Sequence, residues 1–249
     1  MQELEPNSVP GAKRERLAPE ERRAHILDVA QGQFLARGWD DVTVASVLAE
    51  AGISKGGFYH HFKAKDDLLD GVVARFTKAG LASAEAARAA TSGDALMRFN
   101  AFLAESSRWK AEQAAQMKFF LDAMLHPGND VLFQRISAAS AAAARPILHQ
   151  MIADGAREGR FDVPDAELVT EMILAFSTGR RAAVQGAMRA AEAGDLDAGV
   201  ACLDKRMVAE GALIDRMLGL PEGSVTLSNP AEYRLMLRAL TPAPRKATS

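Results

Sequence analysis

The sequence predicts an all-α fold, and three observations predict it. Alanine is abundant throughout, as in Ala138 to Ala144, a composition that favours helix. Proline is scarce and clusters toward the two ends. Strand signals are nearly lacking: the closest to a β-branched alternating run is Ser224 to Leu227, too short to build a sheet. Residues 1–18 carry Pro6, Pro10 and Gly11 among mixed charges and read as a flexible arm, with 221–249 as a partly disordered C-terminal extension.

Each helix carries its own start and stop. Pro19 suits a first helical position, where a missing N–H costs nothing, and Glu20 and Glu21 follow at the positive end of the dipole. Ile26, Ala30 and Phe34 repeat at i, i+4 and i+8 beside Leu27, and Gly38 ends the helix. Thr43 is an N-cap for a short helix burying Val44, Val47, Leu48 and Ala51, stopped by Gly52. Ser54 caps a third, Lys55 to His61. Two short helices joined by Ala51-Gly52-Ile53-Ser54 describe a helix-turn-helix, giving a small three-helix unit over residues 19–65.

From Asp66 a longer helix buries Leu68, Leu69, Val72, Val73 and Phe76 and links this unit to the rest. Breaks at Ser92-Gly93, Pro127 to Asn129, Gly159 to Pro164, Gly194-Asp195 and Gly219 to Gly223 delimit helices near 94–109, 112–125, 130–158, 165–192 and 199–218. Residues 66–220 thus form a second helical region, and a last short helix starts at Pro230, capped by Asn229.

Composition excludes several classes. Of 249 residues, 48% are hydrophobic and 25% charged, the balance of a globular chain. A net charge of −2 excludes a globally basic nucleic-acid coat, so nucleic-acid binding has to come from a local surface. The single cysteine, Cys202, makes no intrachain disulfide, and no apolar secretory core stands near the N-terminus, so a soluble protein of the reducing cytoplasm is expected. Charges interrupt every apolar stretch before the ~20 residues of a membrane span, and no membrane partner is expected. No glycine fingerprint, Cys/His metal spacing or Ser/His/Asp trio nominates an enzyme, a metal or a cofactor.

The informative segment is Ser54 to Lys65. Between Glu50 and Asp66 there is no acid, while Lys55, Lys63, Lys65, His60 and His61 crowd together. Phe58 and Phe62, four apart, share one face and can pin the short helix to its neighbours. Gly56 and Gly57 each cost about 1 kcal/mol of helix stability relative to Ala, which makes sense where the backbone must approach a phosphate or base edge. Lys can donate to guanine, Tyr and His to phosphate, and the helix start at Ser54 is an anion site. Charge runs alone are usually only solvated faces; the aromatic, glycine and basic interleaving within a helix-turn-helix reverses that reading. A metal cluster of His60, His61, Asp66 and Asp67 is disfavoured, because adjacent helical histidines diverge by about 100°.

Ile26 to Leu69 resembles the DNA-binding domain of the tetracycline-repressor (TetR) family of bacterial transcription regulators. The resemblance is carried by Ile26-Leu27, Ala30 to Phe34, Gly38, Thr43-Val44, Ala51 to Ser54, Gly56-Gly57, Phe58-Tyr59, His61-Phe62, Lys65 and Asp67 to Leu69; Leu48, where the family usually has Ala, departs from it. It implies a homodimer on a near-palindromic double-stranded DNA operator, its two recognition helices in successive major grooves. Thr43 carries over as a phosphate contact, Lys55, Gly57 and Tyr59 as readers of bases or adjoining phosphates, and His61 and Lys65 as backbone grips. His60 is at a variable position, and Lys13, Arg14 and Arg16 are candidates for a minor-groove arm.

The resemblance also makes the C-terminal region a ligand-binding and dimerisation domain for an unknown small apolar or amphipathic effector, with repression as the family's usual output. Candidate lining residues are Phe99, Phe102, Leu103, Trp109, Met117, Phe120, Leu121, Met124, Phe176 and Arg180, with Glu105 and Asp122 as further polar candidates. The helices near 165–192 and 199–218 would present Phe176, Ala183, Leu213 and Met217 to the partner, and the helix from Asp66, as the single link, would tilt when effector binds. The rival reading is a helical binding module whose helix-turn-helix no longer binds DNA.

Overall fold

A computed structural model describes residues 18–126 and 128–241, and among them it contains eleven α-helices and no strand. The expected N-terminal arm, with Lys13, Arg14 and Arg16, and the last residues of the C-terminal extension lie outside the described residues.

Helix α1 (Pro19–Arg37) opens on its proline, as the sequence predicts, and the Glu21 side chain accepts from the Ala18 N–H at 3.0 Å. Gly38 ends it at φ 81°, a conformation that costs a side-chain residue energy and glycine little. Helix α2 (Val44–Ala51) is capped by Thr43, whose hydroxyl accepts from the Ser46 N–H at 3.1 Å, and it stops at Gly52 in the left-handed region. Helix α3 (Lys55–Tyr59) is capped by Ser54, whose hydroxyl accepts from the Gly57 N–H at 3.1 Å. Ile26, Leu27, Phe34, Val47, Phe58 and Phe62 close over one another as the core of this unit.

Helix α4 (Lys65–Ala90) leaves that core and runs for 26 residues into the second region. It crosses α1 closely: a Cβ on Gly71 would stand 2.7 Å from Leu27 Cδ2, and Arg75 joins Asp28 at 2.7 Å. The second region comprises α5 (Ala95–Glu112), α6 (Ala114–Leu125), α7 (Asp130–Arg157), α8 (Ala166–Gly179), α9 (Arg181–Glu192), α10 (Leu196–Met217) and α11 (Pro230–Leu240). Helix α11, capped by Asn229, packs against α5, α6, α9 and α10 and buries Tyr233, Leu237 and Leu240.

Two expectations are corrected. The segment near 165–192 is two helices rather than one. Arg180 alone separates them, at φ −77° and ψ −16°, and its side chain bonds Glu210 at 2.7 Å. Helix α4 is also not the single link between the regions. Phe34 of α1 stacks on Phe119 of α6 at 5.4 Å, and one core cluster runs from Ile26 and Phe58 through Val72 to Phe119, Phe120 and Ile136. Linear periodicity identifies which faces are apolar but not which distant face each one meets.

Candidate nucleic-acid interface

The helix-turn-helix is held by a buried polar device. Gln33 of α1, 3% exposed, donates from Nε2 to the Ser46 carbonyl at 3.0 Å and to Glu50 Oε2 at 2.6 Å, while Ser46 Oγ donates to Gln33 Oε1 at 2.6 Å. Fixing α2 on α1 fixes the turn, and Phe58, fully buried, then fixes α3. Every polar residue left on α3 faces outward.

Thr43, Ser54, Lys55, Gly56, Tyr59 and His60 are exposed, with Gly57 and His61 half-buried beside them. These DNA-binding candidates are therefore accessible rather than buried in the core. Lys55 Nζ lies 6.0 Å from the Tyr59 ring, within reach of a weak cation–π contact, and Tyr59 meets Phe58 edge to face at 5.3 Å. A Cβ on Gly56 would meet nothing within 4 Å, and one on Gly57 only its cap, Ser54 Oγ, at 3.4 Å. Neither glycine has a positive φ. Packing within the chain therefore requires neither of them, although each costs helix stability.

Lys65 differs from the other cations. Its Nζ sits 4.2 Å over the Trp39 ring and 3.5 Å from the Asp40 carbonyl, and burial, the main cause, lowers its pKa. The ammonium is spoken for by the protein, unlike that of Lys55. His60 and His61 stack edge to face at 4.9 Å, and burial first, then the charges of His60, Arg22 and Arg23, lower the His61 pKa. Arg22 and Arg23 are the cations that sequence reasoning missed. They belong to the first turns of α1, and Arg23 lies 5.1 Å over Phe62, so the fold sets the start of α1 beside the end of α3. Nothing local in the sequence signals that adjacency.

The ten effector candidates fall into separate groups. Phe99, Phe102, Leu103 and Phe176 pack in a cluster with Met151, Ile152 and Ile214. Trp109, Met117, Phe120, Leu121 and Met124 belong to the cluster that reaches α1. Arg180 donates from Nε to Glu210 Oε2 at 2.7 Å, and Arg206 donates to the other oxygen of the same carboxylate at 2.6 Å. Of the further polar candidates, Glu105 accepts from Ser83 and Arg108, and Asp122 pairs with Lys118. A cavity of about 90 Å³ lies between α4 and α7 at Asp70, Val73, Thr77, Ile136 and Ser140. A groove of about 330 Å³ lies between α7 and α8 at Ser137, Ala141, Arg145, Leu174 and Thr178. None of the ten lines either space.

Of the residues expected at a partner subunit, Leu213 is 45% exposed, whereas Phe176 and Met217 pack inward. Leu168, Met172 and Val208 are the other exposed large apolar residues of α8 and α10. No described helix is long and apolar enough to cross a membrane.

Residues 26–72 match the family model for bacterial regulatory proteins of the tetR family. Over 55 residues the chain is 38% identical to the transcriptional repressor KstR2 of Rhodococcus jostii, covering 22% of this chain and 27% of that protein. Over 58 residues it is 36% identical to the transcriptional regulator AcrR of Shigella flexneri, covering 23% and 27%. The matched segment thus spans about a quarter of the length of these relatives. Likeness of fold extends further. The crystal structure of RolR in complex with resorcinol is similar with a TM-score of 0.56 at 20% identity, over 90% of this chain and 97% of that one. The fatty acid degradation regulator FadR of Bacillus halodurans is similar with a TM-score of 0.51 at 16% identity, over 80% and 98%.

Proposed function

We propose, from the match of residues 26–72 to the tetR family model, that the chain is a ligand-responsive transcription regulator that binds a near-palindromic operator as a homodimer and is released by a small effector. The observation that carries this reading is the exposed face of α3. Lys55 and Tyr59 project from it, and Gly56 and Gly57 leave its backbone bare without any packing reason to do so. A helix that gives up stability to keep its surface low is suited to a groove.

Dimerisation places two such helices on one duplex, with half-sites about 34–36 Å or somewhat more apart. The exposed Leu168 and Met172 of α8 and Val208 and Leu213 of α10 supply an apolar face for a second copy. Effector binding in the C-terminal region would bias the packing of α6 on α1 as well as the tilt of α4, since both reach the DNA-binding core. A coupling of about 1–3 kcal/mol suffices to weaken operator binding roughly 5- to 150-fold. Repression is the output this arrangement serves most simply, because a dimer seated on an operator blocks whatever else would occupy it.

Electrophoretic mobility shift with DNA flanking the chain's own gene, at about 50–100 mM salt, tests the reading. A specific shift is expected, and its loss in Lys55→Ala, by about 1–3 kcal/mol with relaxed base preference, assigns it to α3. No specific shift would favour a binding module without DNA.

A further inference from the structure

Helices α4 and α7 face each other through two stripes of helical spacing. On α4 the stripe is Asp70, Val73, Ala74 and Thr77, and on α7 it is Ile136, Ala139, Ser140 and Ala143. Three of the four α7 residues are Ala or Ser, too short to fill the seam, and the cavity of about 90 Å³ lies there. Val73 and Ile136 give it large apolar walls, and the Thr77 and Ser140 hydroxyls satisfy one another at 3.3 Å.

Asp70 is the lining residue whose polar capacity is left over. Its Oδ2 accepts from Arg135 Nε at 2.9 Å, whereas Oδ1 is shut off from solvent and has no hydrogen-bond partner among the described residues. A half-buried carboxylate with room for about four donors thus receives one. The Asp χ2 torsion is broad and two-fold, so a donor entering the cavity can draw the unpaired oxygen toward it. Arg135 is not a lining residue, and it is shared with Asp66 at 3.9 Å, so one guanidinium faces two carboxylates and negative charge remains uncompensated. Lys78, the other charged residue at the cavity, is exposed and stands two turns, about 12 Å, further along α4, a range at which salt screens an exposed charge. A positive donor complements the Asp70 end, and an apolar body complements the walls.

We propose that the cavity between α4 and α7 binds a small amphipathic ammonium, its charged end on the Asp70 carboxylate and its apolar part against Val73 and Ile136. Both of those apolar residues belong to the core cluster that includes Phe34 and Phe58, so an occupant bears on the packing that holds the helix-turn-helix. Calling the ammonium an effector rests on the regulator reading; the binding itself does not depend on DNA. The site is separate from the ten residues nominated from the sequence, none of which lines the cavity.

Isothermal titration of the full chain with benzylamine and isoamylamine at about pH 7, where both are charged, each against the alcohol of the same carbon skeleton, tests this. At least one amine is expected to bind more tightly than its alcohol. Asp70→Asn keeps the shape and removes the charge, and it is expected to weaken that amine roughly 10- to 100-fold while leaving the alcohol unchanged. Ala139→Leu fills the space and leaves the Asp70 charge in place, and it is expected to abolish binding of both. Thermal midpoints near that of wild type exclude a folding defect; Arg135 keeps Asp66 in the first variant, and Ala139 is exposed. Amines that bind no better than their alcohols, that bind not at all, or that bind either variant as they bind wild type would each overturn the proposal. Operator binding, measured separately, distinguishes the two readings: amine binding through Asp70 in a chain that shifts no DNA would sink the regulator reading and leave this one standing.

Discussion

Glycine serves opposite purposes in the two regions of this chain. In α3, Gly56 and Gly57 face open space or only their own helix cap, and nothing in the fold asks for them. In the C-terminal region, a Cβ on Gly155 would stand 2.0 Å from Phe161 Cδ2, and one on Gly199 would stand 2.7 Å from the Ala187 carbonyl oxygen. There glycine lets helices and loops close on each other. The difference teaches where to look for function: a residue that costs stability and repays nothing inside the molecule points to something outside it.

The largest effect is expected where the two regions meet. Phe119→Ala removes the ring that stacks on Phe34 and is expected to destabilise the chain by about 3–5 kcal/mol, measured by urea unfolding. A loss well below that would mean that the regions are joined by α4 alone. Next, Gly155→Ala is expected to cost about 1–3 kcal/mol through overpacking against Phe161 while folded protein keeps its DNA affinity. Gly56→Ala sharpens the contrast because it reverses the pattern. Stability is expected to hold or to rise by up to about 1 kcal/mol, and operator affinity to fall. Unchanged affinity would leave the glycine with no role on either side.

The smallest effect concerns pH. The folded-state pKa of His61 lies below its ordinary value of 6.5, through burial and then the neighbouring His60, Arg22 and Arg23. The unfolded chain therefore binds its proton more readily, and stability from this group is present above pH 6.5 and is lost as pH falls below it. Facing phosphate, the same protonation is favourable, so operator affinity is expected to rise between about pH 7 and 5.5, and His61→Gln to flatten that slope.

The N-terminal region was legible because its signals are local. Thr43, Gly52 and Ser54 each act within four residues, and the structure places each of those caps and stops where the pattern predicts. The C-terminal region was legible in its helices but not in its pairings. Its apolar stripes are alike, so the sequence does not separate Phe99, which packs toward Phe161, from Phe120, which packs toward the DNA-binding core. Lys65 shows the same limit, since its motif position suggests a free backbone grip, whereas Trp39 and Asp40 already hold it.

Selection of bound duplexes from a random-sequence pool by the full chain tests the central claim most directly. The account predicts recovery of two inverted half-sites about one helical turn or somewhat more apart, with the wild-type preference blurred in Lys55→Ala at the positions α3 contacts. A pool with no enriched sequence, or the same enriched sequence with Lys55→Ala as with wild type, would contradict it.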